Sequence, residues 1–192
     1  MSYRGVFIIW ALVTGSCLAA GTLAPVSTFD HIQDKSKRAQ ALFEEAGKVI
    51  TSPRCLNCHP VDDSPRQGDV MHKHEPPVER GSGGMGPAAM RCFTCHGASN
   101  FDPVPGNSKW FLAPPEMGWI GHSLGQICEQ VKDRKRNGNR SLQDIVEHMT
   151  SDDLVGWAWH PGAGRAPAPG SQKEFGELIA AWVQNGADCP KP

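Results

Sequence analysis

Two short segments of this chain share a residue pattern that can attach a cofactor covalently. Residues 55–59 read Cys-Leu-Asn-Cys-His and residues 92–96 read Cys-Phe-Thr-Cys-His. Two cysteines three positions apart on a helical turn can form thioethers with the two vinyl groups of one porphyrin, and the adjacent histidine can ligate its iron. The pattern therefore predicts two covalently bound haem c groups. Their anchors are Cys55, Cys58, Cys92 and Cys95, with His59 and His96 as proximal iron ligands.

Paired C-x-x-C segments also occur in structural zinc sites and in thiol oxidoreductases. A zinc site of four thiolates leaves the histidine that directly follows both segments unexplained. A thioredoxin-type redox pair needs alternating strands and helices, which the Pro-rich flanking sequence does not indicate. We therefore favour haem attachment over both alternatives.

The amino terminus has the features of a secretory signal peptide. In residues 1–24 a short segment with Arg4 precedes the apolar run Val6–Val13, and small residues follow. This run is shorter than the roughly 20 apolar residues that a spanning helix needs. The sequence therefore predicts a periplasmic mature chain, residues 25–192, with no transmembrane segment.

Two details of this amino-terminal segment stay open. Thr22–Ala24 and Leu18–Ala20 both suit the positions before a signal peptidase cut. Cys17 could carry a lipid anchor, but Thr14 stands where a lipoprotein signal usually has a bulky aliphatic residue. We favour a released chain over an anchored one.

Two cysteines remain once the signal and the two motifs are set aside. In an oxidising compartment, Cys128 and Cys189 are expected to form a disulfide. It would close a loop of about 60 residues and stabilise the fold by on the order of 4 kcal/mol in the chain-entropy model.

The composition suits one small domain and excludes several classes of protein. A chain of 192 residues is too short for a large multidomain enzyme. Nineteen basic and twenty acidic residues give a net charge of -1, which offers no electrostatic basis for binding nucleic acid. With 21 Gly, 16 Pro and 39% hydrophobic residues, we expect long loops and a lean core that porphyrins could complete.

Apolar periodicity predicts helices in the first and last parts of the expected mature chain. The ranges are 29–50, 123–135, 141–150 and 173–184, with Ser123 and Ser141 as N-caps. Between them, 60–90 and 100–119 are Pro-rich, and Trp110, Phe111 and Trp119 could pack on porphyrin faces. Because only 37 positions separate Cys55 from Cys92, we expect one mainly α domain. Its cytochrome c-like helices and long Pro/Gly-rich loops would wrap two haems.

The second axial ligand of each iron is open to several residues. His74 lies on a Pro-stiffened segment between the motifs, and His148 lies at the edge of an amphipathic helix. Met117 follows the second motif in the order typical of small cytochromes. The weaker candidates are His31, His72, His122, His160, Met71, Met85, Met90 and Met149. A second histidine would keep the potential low, whereas a methionine would raise it.

The stretch from Cys55 to Pro190 resembles a family of small exported dihaem c-type cytochromes, often described as isoquinoline 1-oxidoreductase subunits. The resemblance rests on the ranges 92–100, 113–119, 148–170 and 182–190. It implies His74, Met117 and His148 as iron ligands. It also implies a periplasmic molybdenum hydroxylase as the partner that delivers electrons.

Three functions follow from these observations as hypotheses. We expect an electron carrier that relays single electrons between a periplasmic dehydrogenase and a cytochrome or oxidase of the respiratory chain, with no catalytic side chains of its own. The first alternative is an enzyme such as a dihaem peroxidase, in which one iron keeps an open site. The second is a haem-based sensor or a structural subunit of a larger complex.

Overall fold

A computed structural model describes residues 21–192. The expected signal peptide lies mostly outside the described residues, as does Cys17. The predicted mainly α class is confirmed, with one short antiparallel pair, β1 (Arg66–Gln67) and β2 (His72–Lys73). The helices are α1 (Lys35–Ile50), α2 (Pro53–Leu56), α3 (Leu124–Lys132), α4 (Leu142–Ser151), α5 (Asp153–Gly156) and α6 (Gln172–Gln184).

Side-chain caps determine where the longer helices begin. The predicted caps Ser123 and Ser141 both accept a hydrogen bond from the backbone three residues later, and Gln126 and Asp144 complete a capping box in each case. Helix α1 begins after its N-cap Asp34, whereas the apolar pattern predicts a start at residue 29. The earlier residues 26–29 form a separate 3-10 turn. The predicted helices are otherwise confirmed to within a few residues.

The helices build an apolar core of their own. Helix α6 packs against α1 and α4, and Phe43 meets Trp182 with ring centroids 4.9 Å apart. The largest fully buried side chains here are Trp182, Phe43, Leu42, Ile50, Ile127, Leu178 and Ile179. This part of the protein buries enough apolar surface to hold its shape through side chains alone.

The predicted disulfide is present between Cys128 of α3 and Cys189 beyond α6, with Cα atoms 5.6 Å apart. The final residues lie directly on α3. A side chain at Gly125 would collide with the carbonyl of Pro190, so a glycine is needed there. The disulfide therefore ties the carboxyl terminus to the helical core.

The segment from residue 60 to 122 is mostly irregular, as its Pro content predicts. Arg80 organises its start: the buried guanidinium donates to the main-chain carbonyls of Pro60, Asp62 and Ala113. All seven large exposed apolar side chains of the described residues lie in this segment. They are Val61, Val70, Met85, Met90, Phe93, Phe101 and Phe111.

Residues 21–24 of the described chain, which precede the expected start of the mature chain at residue 25, contact the helical core. Leu23 is buried in the core, and the Gly170 N–H donates to the carbonyl of Gly21 at 2.8 Å. The Ala24 N–H donates to Glu45 Oε1 at 2.7 Å. A cut after Ala20 would keep these contacts, and a cut after Ala24 would remove them. No helix of the described residues is long and apolar enough to cross a membrane.

Candidate functional site

The two C-x-x-C-H segments adopt the same local turn. The His59 N–H donates to the carbonyl of Cys55 at 3.1 Å, and the His96 N–H donates to that of Cys92 at 2.9 Å. In each segment the second cysteine N–H also donates to the first cysteine carbonyl. This helical turn brings the two cysteines and the histidine to one side of the backbone.

His59 is held in one orientation and one tautomer. Its Nδ1 donates to the main-chain carbonyl of Met117 at 2.7 Å, and its ring stacks on Trp119 with centroids 3.5 Å apart and an 11° angle. Burial lowers the pKa of His59 to about 4, so the ring is neutral near pH 7. Because a carbonyl can only accept, the proton is on Nδ1 and the Nε2 lone pair is free for a metal.

His96 repeats this arrangement in the second segment. Its Nδ1 donates to the carbonyl of Pro105 at 2.6 Å, and its ring stacks on Trp110 with centroids 4.7 Å apart and a 17° angle. Burial lowers the pKa of His96 as well. Trp110 and Trp119 lie against the imidazoles, and Phe111 is exposed. That these rings pack on porphyrin faces stays a prediction.

The four motif cysteines are free thiols and differ in their exposure. Cys55, Cys58 and Cys92 are partly buried, whereas Cys95 is exposed. Burial raises the pKa of Cys55 to about 12 and that of Cys58 to about 11. No group of three or more His, Cys, Asp or Glu among residues 21–192 could hold a metal ion, so these cysteines do not converge as a zinc site requires.

The two segments are neighbours in space. The Cys58 carbonyl accepts from the N–H of Ala113, and the adjacent Leu112 N–H donates to the carbonyl of Gly84. That carbonyl also lies 3.8 Å from the sulfur of Cys92. The two attachment sites are therefore only a few main-chain hydrogen bonds apart.

A second histidine lies beside the histidine of the second motif. The rings of His74 and His96 have centroids 5.9 Å apart at a 67° angle, and His74 Nδ1 donates to the carbonyl of Pro76. Two imidazoles that ligate one metal from opposite sides through Nε2, at about 2 Å each, have centres roughly 6 Å apart. His148 Nδ1 lies 3.5 Å from Asp152, and burial lowers the pKa of His148.

Met117 contacts the first motif through its main chain. Its carbonyl accepts from Nδ1 of His59, and its side chain is buried with the core residues. A role of its sulfur as an iron ligand stays a prediction.

The weaker candidates have no observed contact between their side chains and a motif histidine. Met149 belongs to the helical core, and the Met85 and Met90 side chains are exposed, although the Met85 carbonyl accepts from the Cys92 N–H. His31 and His72 donate through Nδ1 to nearby backbone carbonyls. A hydrogen bond from Nδ1 to a carbonyl therefore does not by itself mark His74 as a ligand. What separates it from His31 and His72 is its position beside His96.

Buried polar atoms without a partner concentrate at the first motif. In the described residues they are Ser52 Oγ, Arg54 Nε, Asn57 Oδ1, Arg80 Nε, Trp119 Nε1, His122 Nδ1 and Gln130 Oε1. Asn57 is in the first motif, and Ser52 and Arg54 lie just before it. Trp119 stacks on the motif histidine, and the His122 N–H donates to the Trp119 carbonyl. Arg80 bonds the carbonyl of Pro60, next to the motif, and its Nε lies 3.5 Å from Asp63 Oδ1. Such atoms are rare and call for a partner. A haem fits here, because its propionates accept hydrogen bonds from Arg and Trp donors.

Sequence reasoning missed the residues that hold the histidines. Met117 and Pro105 act through their carbonyls, which every residue type carries, and Arg54 and Arg80 are charged residues that are expected at the surface. Comparisons with protein-family models, curated proteins and solved structures found no match. The resemblance to dihaem cytochromes of the isoquinoline 1-oxidoreductase type therefore stays a prediction.

Proposed function

We propose that this chain is a periplasmic dihaem c-type cytochrome that relays single electrons between a dehydrogenase and the respiratory chain. The observation that carries the proposal is the duplication: two C-x-x-C-H turns, each with a histidine held at Nδ1 by a carbonyl and stacked on a tryptophan. Metal-ligating histidines commonly have such a partner on the other ring nitrogen.

In this proposal Cys55 and Cys58 anchor one haem and Cys92 and Cys95 the other. Each haem, when bound, supplies an iron that gains or loses one electron. His59 and His96 are the proximal ligands, oriented by the Met117 and Pro105 carbonyls. We propose His74 as the second ligand of the haem held by His96, because the two rings are 5.9 Å apart, and His148 as that of the haem held by His59, because the resemblance implies it.

The remaining contacts suit electron relay between two close centres. The short hydrogen-bonded path from Cys58 through Ala113, Leu112 and Gly84 to Cys92 keeps the two attachment sites side by side. The second site includes the exposed Cys95, so an external protein can reach it. The resemblance suggests a molybdenum hydroxylase as the donor.

The test is the haem content and spectrum of the full chain produced in an exporting, haem-maturing host. We expect a pyridine haemochrome count of two covalent haems per chain. Cys55→Ala with Cys58→Ala and, separately, Cys92→Ala with Cys95→Ala should each leave one. A chain without covalent haem would overturn the proposal.

The axial ligands are tested by spectroscopy and carbon monoxide binding. We expect no methionine-to-iron charge-transfer band in the near infrared and slow carbon monoxide binding to the reduced protein. His74→Ala and His148→Ala should each open one iron to carbon monoxide. Rapid binding by the unsubstituted protein together with peroxide turnover would instead favour the dihaem enzyme.

A further inference from the structure

Arg54 is a buried cation that directly precedes the first anchor cysteine. Its side chain is only 1% exposed. Its Nη2 donates to Asp69 Oδ1 at 2.6 Å and to the carbonyl of Gly68 at 3.1 Å, while its Nε has no partner. Burying a guanidinium is costly unless its charge is paired and its N–H groups are hydrogen-bonded.

Asp69 is the single carboxylate that pairs with this cation. It is less enclosed, with 42% of its side chain exposed, and both of its oxygens also accept from the N–H of Ala166. The pair therefore joins three segments: the first motif, the loop before β2 and the loop before α6. The charge of Arg54 is therefore buried, whereas that of Asp69 is partly exposed to solvent.

Arg54 also lies between the two attachment sites. Its guanidinium carbon is 5.9 Å from the centroid of the Trp157 ring, within range of a cation–π contact. Trp157 meets Trp110 edge to face at 4.9 Å, and Trp110 stacks on His96. A continuous set of contacts thus leads from the first motif to the histidine of the second.

We propose that the Arg54–Asp69 pair sets the reduction potential of the haem anchored at Cys55 and Cys58. This inference rests on the proposed function. One electron converts ferric to ferrous iron, with no bond made or broken, and removes one positive charge from the haem. A nearby buried cation favours the ferrous state, and a nearby carboxylate favours the ferric state. Arg54 thus raises the potential, and Asp69 lowers it.

Substituting the two partners separately distinguishes this role from a structural one. A purely structural ion pair loses the same contact whichever partner is replaced, so both variants would change in the same direction. An electrostatic role predicts opposite signs for Arg54→Gln and Asp69→Asn. The Asp69 effect should be the smaller, because water screens a half-exposed carboxylate.

The experiment is a spectroelectrochemical titration of the full-length holoprotein that resolves both haems. For Arg54→Gln we expect the ferrous-to-ferric ratio of the first haem at fixed potential to fall about tenfold, a shift of about 59 mV for one electron. For Asp69→Asn we expect a smaller rise, and for Arg54→Lys, which keeps the charge, almost no shift. The second haem should move less in each variant.

A second ion pair serves as the matched control. Glu129 and Lys132 on α3 are 3.8 Å apart, with 62% and 31% of their side chains exposed, so water screens them and Glu129→Gln and Lys132→Gln should leave both potentials unchanged. Shifts of the same sign in Arg54→Gln and Asp69→Asn, or none, would overturn the inference. A haem count of two in those same samples would show that the proposed function still holds. If Arg54→Gln fails to fold, Asp69→Asn and Arg54→Lys still decide the question.

Discussion

The segment Cys55–His59 and the segment Cys92–His96 close the same main-chain hydrogen bonds, yet the protein around them differs. The first lies against the helical core, and its histidine stacks on Trp119, which is only 4% exposed. The second lies among loops, with Phe93 64% and Phe101 68% exposed. The carbonyl that holds His59 comes from 58 residues away, whereas the one that holds His96 comes from 9.

This difference suggests that the protein encloses a cofactor at the first site, whereas a cofactor at the second site would itself cover apolar side chains. The first site is enclosed by side chains and leaves buried polar atoms without partners, as expected of a preformed cradle. The second site leaves apolar side chains without cover, as expected where a bound group completes the core. The proposed second haem would therefore be a structural element as well as a redox centre.

Loss of the second attachment site should have the largest effect. Cys92→Ala with Cys95→Ala should let amide exchange across residues 61–111 approach that of an unfolded chain, because this segment has little core of its own. Helices α1, α4 and α6 should stay protected. Hydrogen exchange with mass spectrometry measures both, and Cys55→Ala with Cys58→Ala is the matched variant. If the amides of residues 61–111 exchange equally slowly in the two variants, the second haem is no more of a structural element than the first.

Removing the disulfide should weaken the helical region selectively. Cys128→Ser with Cys189→Ser should lower the free energy of unfolding by about 4 kcal/mol, from the loop entropy that the cross-link removes from the unfolded chain. Urea unfolding followed by circular dichroism measures this loss. The absorption spectrum of the second haem should not change at low urea, and a changed spectrum there would contradict the separation of the two regions.

The two stacking tryptophans should differ in their contribution to stability. Trp119→Ala removes a buried ring and should cost about 3 kcal/mol, whereas Trp110→Ala removes a partly exposed ring and should cost about 1 kcal/mol. Thermal or urea unfolding of the holoprotein gives both values. Similar costs would mean that the second site is as enclosed as the first.

A substitution of Met117 should have the smallest effect. Met117→Leu keeps the main-chain carbonyl that holds His59 and roughly the same side-chain volume, so the cost should stay below about 1.5 kcal/mol. The near-infrared and visible spectra should be unchanged. Appearance of a carbon monoxide-binding iron in this variant would instead show that the Met117 sulfur is an iron ligand.

Local chemistry in the sequence predicts much of this arrangement. Ser123 and Ser141 begin helices because each is followed three residues later by a side chain that completes a capping box. Cys128 and Cys189 pair as elimination predicts. The Cys–His turns also follow from spacing alone.

Contacts between distant segments are the part that the sequence does not reveal. The stacking of Trp119 on His59 depends on how loop 60–118 returns to the first motif. The burial of Arg54 depends on Asp69 and Trp157, which come from two other loops. No periodicity or motif in the sequence indicates either contact, because both depend on tertiary packing.

The buried Leu23 connects the expected removal of a signal peptide with the free energy of unfolding of the remaining chain. Its side chain fills the space beside Gly170, where even a methyl group would come within 2.8 Å of it. A peptidase cut after Ala24 would remove Leu23. Losing a buried leucine side chain lowers the free energy of unfolding by roughly 2–5 kcal/mol. A cut after Ala20 would keep it. If the expected signal peptide is removed, the position of the cut would thus decide how stable the remaining chain is.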